Sequence, residues 1–341
     1  DWGAQQAGVE IIWANDIDPH AATAYQAAFS KVKFVEGDIG HIKRFPQADV
    51  LIGCYPCTGF SLGSRRRWHL EEERNLQGIK GNFLYREFLR ATTQVQPRYL
   101  FVENVKGMLT ADGGWFFEEQ IKSFKSLGYR IQFARLNACQ YGVPQTRERV
   151  FIVGIRRDIK SFIYKFTEPT HALPQDITIA VERRKKKRYR SKVNWSRLAS
   201  RTGELPLTNL LSPFKTLRQA IQVKSWPDDE YFGYKFHGHY LTRNRKRGWD
   251  ELSFTIVANK HHIPLHPSGA PMRYVGKDKW ELQGEINRRL SWRECAAIQE
   301  LPEAAVPSGT LEDKYRVIGN AVPPAFGRIL LEPIVGFESS L

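Results

Sequence analysis

The stretch "ADVLIGCYPC" (residues 48–57) decides how the rest of the sequence is read. Its first seven residues form a nearly continuous apolar run. Such a run suits a strand buried on both faces of a parallel sheet. Similar signals recur on either side of it. "GVEIIWAND" (8–16), "KVKFVEGD" (31–38), "RYLFVENV" (98–105), "YRIQFARLNA" and "RVFIVGI" read as strands. Between them, "PHAATAYQAAF" (19–29), "GNFLYREFLRATTQV" (81–95) and "GGWFFEEQIKSFKSLG" (113–128) have helical spacing. Strands alternating with helices predict an α/β fold with an open, doubly wound sheet. In such sheets ligands bind at the carboxyl ends of the strands. Asp16, Asp38, Cys57 and Glu103 each follow one strand, and four such residues at successive strand ends point to a site.

Composition narrows the class of function. With 341 residues the chain is long enough for one large or two medium domains. Hydrophobic content of 42% and charged content of 26% place it among folded globular chains. No apolar stretch is long enough to span a bilayer, so a membrane partner is not expected. The formal net charge of +15 favours a polyanion, with nucleic acid first. Four cysteines in such a length make no disulfide framework and fit a reducing cytoplasm. The pair Cys54 and Cys57 lacks a second C-x-x-C, and His261 and His262 are adjacent rather than spaced as a finger, so no metal is expected. A redox pair would need a helix start after it, whereas "TGFSLGSRRR" reads as a loop.

The regular alternation stops near residue 157. Beyond it lie "RRKKKRYR" (183–190), read as a solvated basic insertion, and "LTRNRKRGW" (241–249), flanked by "HGHY" and "ELSFTIVANKHH". Arginine and histidine interleaved with aromatics fit a folded nucleic-acid surface. "LSWRECAAIQEL" and "PPAFGRILLEPIVGF" predict closing helices.

Five motifs in this order resemble the DNA (cytosine-5) methyltransferases of bacterial restriction-modification systems. They are "GCYPCTGFS" (53–61), "FVENVKGM" (101–108), "NACQYGVPQTRERVFIVGIR" (137–156), "RRLSWRECAAIQELPE" (288–303) and "YRVIGNAVPPAFGRIL" (315–330). The resemblance covers nearly all of the chain outside roughly 158–240. It implies a Rossmann-like methyltransferase domain (1–157 plus 300–341) and a smaller, irregular target-recognition domain (158–299). The cofactor implied is S-adenosylmethionine, with S-adenosylhomocysteine as product. The partner implied is double-stranded DNA, met by a monomer in the cytoplasm and at the nucleoid.

Residue roles follow from the same resemblance. Cys57 is the expected nucleophile, attacking C6 of cytosine as a thiolate so that C5 can accept a methyl group. Pro56 stiffens its approach. Glu103, held with Asn104 in the Glu-Asn-Val turn, would donate a proton or hydrogen bond to N3. Arg147 and Arg149 would orient the base and the carboxylate. Asp16 and Ile17, Asp38 and Ile39, and Asn320 and Ala321 would hold the cofactor. Ser61, Arg65, Arg66 and Arg67 would close over DNA from the catalytic side. Arg243, Arg245, Thr255 and Lys260 would contact it from the other, with arginine suited to guanine. The region 241–272 looks like that of enzymes modifying GGCC. Two features depart from the family pattern. Thr58 stands where glutamine is common, and the strand and glycine loop that open the family would lie upstream of Asp1. The residues alone leave open a non-catalytic DNA-binding protein or an RNA cytosine-5 methyltransferase.

Overall fold

The computed structural model describes residues 1–56, 76–173, 211–221 and 230–341. Helix α1 (Trp2–Gln6) precedes strand β1 (Trp13–Asp16), helix α2 (Pro19–Ala28) and strand β2 (Lys33–Glu36). Strand β3 (Val50–Gly53) is followed by helix α3 (Tyr85–Val95), strand β4 (Tyr99–Val105), helix α4 (Trp115–Ser126), and strands β5 (Tyr129–Asn137) and β6 (Glu148–Arg156). Further on come helix α5 (Leu217–Ile221), the hairpin β7 (Arg273–Gly276) and β8 (Lys279–Glu281), and helices α6 (Trp292–Ile298), α7 (Leu311–Asn320) and α8 (Pro324–Glu338).

The alternation predicted from sequence is present, but the single open parallel sheet is not. Strands β3, β4, β6 and β5 form one four-stranded sheet in that order, while β1 and β2 pair separately. β3 and β4 are parallel, whereas β6 runs antiparallel to both β4 and β5. Among the described residues, β1 and β3 each have one edge without a strand partner. Residues of both strands line a common cleft. The sheet is therefore mixed and interrupted. Only a short 3₁₀ turn (Ala138–Tyr141) and no α-helix separates the two strands of the run 129–156, which permits antiparallel neighbours where parallel ones require a crossover.

The central strands β4 and β6 are buried on both faces, which explains their apolar runs. Tyr99, Phe101, Phe151, Val153 and Ile155 pack with α8 through Phe326, Ile329 and Leu330. Leu100, Val102, Val150 and Ile152 pack with α4 through Phe116, Phe117, Ile121 and Phe124. Helix α1 crosses α8 so closely that a Cβ on Gly3 would lie 2.0 Å from the Pro324 carbonyl oxygen. Pro324 opens α8 at a position where its missing N–H costs nothing. Pro333, inside the helix, leaves the Ile329 carbonyl without its usual donor. The Thr167 hydroxyl donates to that carbonyl at 2.8 Å and replaces the lost bond.

A third cluster joins α5, α6 and α7 with Ile256 and Ile263. The expected cuts at 157/158 and 299/300 do not coincide with these packing units. Ile159, Phe162 and Tyr164 continue the first core, and Leu311, Tyr315 and Ile318 belong to the third. Helix α6 starts on a reciprocal capping box between Ser291 and Glu294. The Glu294 carboxylate is buried, receives two 2.8 Å bonds from Arg288, and lies 3.3 Å from His266. Burial by itself would raise its pKa. The bonds from Arg288 and His266 outweigh burial and hold it at about 2. A carboxyl with a depressed folded pKa stabilises above its ordinary value near pH 4.5 and loses that stabilisation as pH falls toward 2.

Glu294→Gln is expected to lose about 2–3 kcal/mol at neutral pH, less than the ~3–5 kcal/mol of a fully buried pair because Arg288 reaches solvent. Urea unfolding measures this. The gap to wild type should narrow toward pH 3, and a gap of constant size would refute the linkage.

Candidate active site

Strand β6 builds the centre of the site. Alternate side chains of a strand share a face, so Arg147, just before β6, and Arg149 and Phe151 within it project together. Antiparallel pairing sets Glu103 opposite Phe151 and Val105 opposite Arg149. Glu103 and Arg149 are therefore diagonal neighbours on one face. Their side chains meet as an ion pair, Arg149 Nε to Glu103 Oε1, at 2.7 Å, with about 15% of each side chain exposed. Glu148, on the opposite face, pairs with Lys106 instead.

Arg147 is buried, and burial followed by the nearby Arg149 lowers its pKa, with Glu103 acting in the opposite sense. Among the described residues no carboxylate forms an ion pair with it. Its guanidinium donates to three backbone carbonyls: Ile256 at 3.0 Å, Gly319 at 3.2 Å and Ala321 at 2.9 Å. Two glutamines complete this junction. Gln145 accepts from the Ile256 amide and donates to Gln299, and Gln299 donates to the carbonyls of Ile318 and Ala321. Helix α7 can approach the 257–258 backbone because residue 319 is glycine. A Cβ there would lie 2.1 Å from the Ala258 nitrogen. Gln145, Gln299 and helix α7 were not foreseen from the sequence, since each acts through backbone partners far away in the chain.

Asn104 is buried; its side-chain oxygen accepts from the Val105 amide, and its Nδ2 has no partner among the described residues. Pro56, at the end of the described part of the loop, lines the same cleft as Glu103. Cys57, Thr58, Ser61, Arg65, Arg66, Arg67 and the basic run 183–190 lie outside the described residues. Cys54, the other cysteine of the C-x-x-C pair, remains within the described residues. It lies just past β3, is exposed, and lines the cleft.

The nominated cofactor residues surround the other end of the same cleft, whose volume is about 2600 Å³. Asp16 is exposed at the end of β1, and one of its oxygens accepts from the Asp18 amide at 2.9 Å. Ile17 beside it is exposed. Asp38 caps a short 3₁₀ turn through Gly40, and Ile39 begins that turn. Asn15 ties the two strand ends together by donating to the carbonyls of Val35 and Gly37. Arg90 of α3 holds the 39–42 loop by its carbonyls, another contact not foreseen. Asn320 is exposed, and Ala321 presents its carbonyl to Arg147. Exposed carboxylates flanking an apolar side chain suit a ligand carrying hydroxyls and a flat ring. These residues therefore fit the cofactor expected from the sequence. Among the described residues no group of three or more side chains is disposed to hold a metal, and no helix is long and apolar enough to cross a membrane.

Of the expected recognition residues, Arg243, Arg245 and Thr255 line the same cleft, and Lys260 lies next to its lining residues Asn259 and His261. Arg243 is exposed and lines the cleft. Arg245 is buried, donates to the Tyr240 carbonyl at 3.0 Å, and stacks on the Tyr240 ring. Thr255 donates to the Thr146 carbonyl. Lys260 pairs with Glu312 and lies over Phe232.

The C-5 cytosine-specific DNA methylase model matches residues 1–336. The chain belongs to that family. Two curated relatives are the Type II methyltransferases M.BsuRI of Bacillus subtilis and M.BspRI of Lysinibacillus sphaericus. The first is 38% identical over 96% of this chain and 68% of its own length, and the second 36% identical over 96% and 70%. Among solved structures, a putative DNA modification methyltransferase from an Escherichia coli prophage superposes with a TM-score of 0.60. Its identity is 18%, with 99% of this chain and 95% of that one covered, and the likeness shows the shared fold. The methylase is thus a DNA (cytosine-5-)-methyltransferase with restriction-modification relatives.

Arg147→Met in the methylase should cost about 2–4 kcal/mol, because buried carbonyls lose their donors. Hydrogen exchange should rise across residues 255–258. Wild-type stability and exchange in this variant would show that the guanidinium does not hold the junction.

Proposed function

We propose that this methylase modifies one cytosine within a specific double-stranded DNA sequence, acting as a monomer on cytoplasmic, nucleoid-bound DNA. The observation that carries the reading is the single cleft described above. It joins the Glu103–Arg149 pair and Pro56 to the Asp16 and Asp38 rim on one side and to the Arg243 wall on the other. A target base inside a duplex lies out of reach of such a pocket, so it must rotate out of the stack. Cys57 follows Pro56 directly and attacks C6 of the extruded base as the thiolate. Glu103, oriented by Arg149, meets N3 and supports the charge that develops on the ring. Arg147 docks the 256 segment and the end of helix α7 beside it, and Asn104 accepts from the Val105 amide. Asp16, Ile17, Asp38, Ile39, Asn320 and Ala321 would hold S-adenosylmethionine, which when bound would supply the methyl group for C5 and leave as S-adenosylhomocysteine. Loss of the C5 proton and expulsion of the Cys57 thiolate then restore the ring.

The wider setting is host protection beside a restriction endonuclease, as the Type II names of the relatives suggest. The target sequence is GGCC, read in part by Arg243 through the two acceptors of a guanine. Arg245 and Thr255 brace that wall, and Lys260 reaches backbone phosphate once DNA competes with Glu312. The loop with Ser61, Arg65, Arg66 and Arg67 closes from the catalytic side.

Transfer of labelled methyl groups to duplex DNA tests the chemistry. Wild type should label DNA, Cys57→Ala should fall to background, and Glu103→Gln should lose about 10²–10³-fold. Equal labelling by wild type and Cys57→Ala would falsify the mechanism. A duplex carrying 5-fluorocytosine in GGCC should trap a covalent adduct. Bisulfite mapping that finds methylation outside GGCC would remove the site assignment but not the chemistry, and preferential labelling of tRNA would favour an RNA substrate.

A further inference from the structure

Four histidines gather on the recognition wall. His237 and His239 flank Gly238 in an exposed turn, and His261 and His262 sit in a facing 3₁₀ turn. Their rings pair across the gap, His237 with His261 at 5.8 Å and His239 with His262 at 5.5 Å between centroids. All four line the cleft that holds Glu103 and Arg149. The turn is rigidly placed by a buried cation. Arg289 donates to the carbonyls of Phe232 and Tyr234 and is enclosed by the rings of Phe232, Phe236 and Tyr240. Tyr240 in turn donates to the Ile263 carbonyl, which locks the two histidine turns together.

The charges facing this cluster are mainly positive. Lys260 and Arg289 act on His261, with Glu312 opposing them, and Arg243 and Arg245 act on His262. Tyr234 packs against His237. Burial first, and these cations next, depress both inner histidines, His262 to about 4. His261 and His262 are thus disfavoured as cations and half-buried, whereas His237 and His239 are exposed on the same cleft. Positive neighbours discourage protonation only until a polyanion arrives. A phosphate beside an imidazole reverses the local field and favours the imidazolium.

We propose that His237 and His239 contact the phosphate backbone of DNA seated in the cleft and do so in the protonated form, so that binding draws protons onto this wall. The inference rests on the DNA-methylation reading given above. Affinity then increases as pH falls and declines as pH rises through the histidine range.

Fluorescence anisotropy of a labelled duplex, measured at pH ~6 and ~8 over a series of salt concentrations, tests it. Wild type should bind on the order of tenfold more tightly at pH ~6, with a salt slope steeper by up to about 2, roughly 0.9 per added phosphate contact. His237→Gln/His239→Gln should retain less than about a third of that gain and show nearly parallel salt slopes. His237→Arg/His239→Arg carries fixed charge and should bind more tightly than the glutamine pair at pH ~8. A glutamine pair that keeps the full pH dependence, or an arginine pair no tighter than the glutamine pair, overturns the proposal. So does a wild type whose affinity ignores pH while it still methylates DNA, an outcome that leaves the methylation reading intact. A wild type that binds no DNA at either pH overturns both.

Discussion

The antiparallel pairing of β4 with β6 is the constraint on which the site depends. It fixes Glu103 and Arg149 as diagonal neighbours, and the period of the strand then sends Arg147 to the same face. A shift of one residue in that register would turn both arginines toward α4 and its aromatic core. The apolar residues that prevent such a slip are Leu100, Val102, Val150 and Ile152 on one face, and Phe101, Phe151 and Val153 on the other. Packing on both faces thus sets the geometry of polar groups that contribute little to packing themselves.

From that strand the constraint passes outward through backbone groups. Arg147 holds Ile256, Gly319 and Ala321, and Gln145 and Gln299 bond to each other and to the carbonyls and amide around it. A buried cation without a carboxylate is costly unless its donors are used. Three carbonyl acceptors meet most of that demand. The recognition wall is anchored in a related way, with Arg289 enclosed by aromatic rings and bonded to carbonyls. Both parts of the molecule thus rest on arginines that touch peptide groups rather than acids.

Strand and helix positions were legible because apolar periodicity survives without knowledge of partners. The runs 98–105 and 113–128 became β4 and α4 with ends shifted by only a residue or two. Glu103, Asp16 and Asp38 were legible as strand-end polar groups, and the cleft brings all three together. Connectivity between strands was not legible. Nothing in "GVEIIWAND" shows that β1 pairs only with β2, because edge status depends on what lies alongside. Arg245 reads from sequence like nearby Arg243, and only the fold separates a buried brace from an exposed side chain. The glutamine junction was invisible for the same reason: Gln145 and Gln299 are 154 positions apart.

The choice of peptide carbonyls as acceptors has a consequence for substitution. Every residue type offers the same carbonyl, so the grip of Arg147 on residue 256 is indifferent to the side chain found there. What this grip requires is the path of the backbone at 256, 319 and 321, so a substitution disturbs it only by moving that path, as a side chain added at Gly319 would.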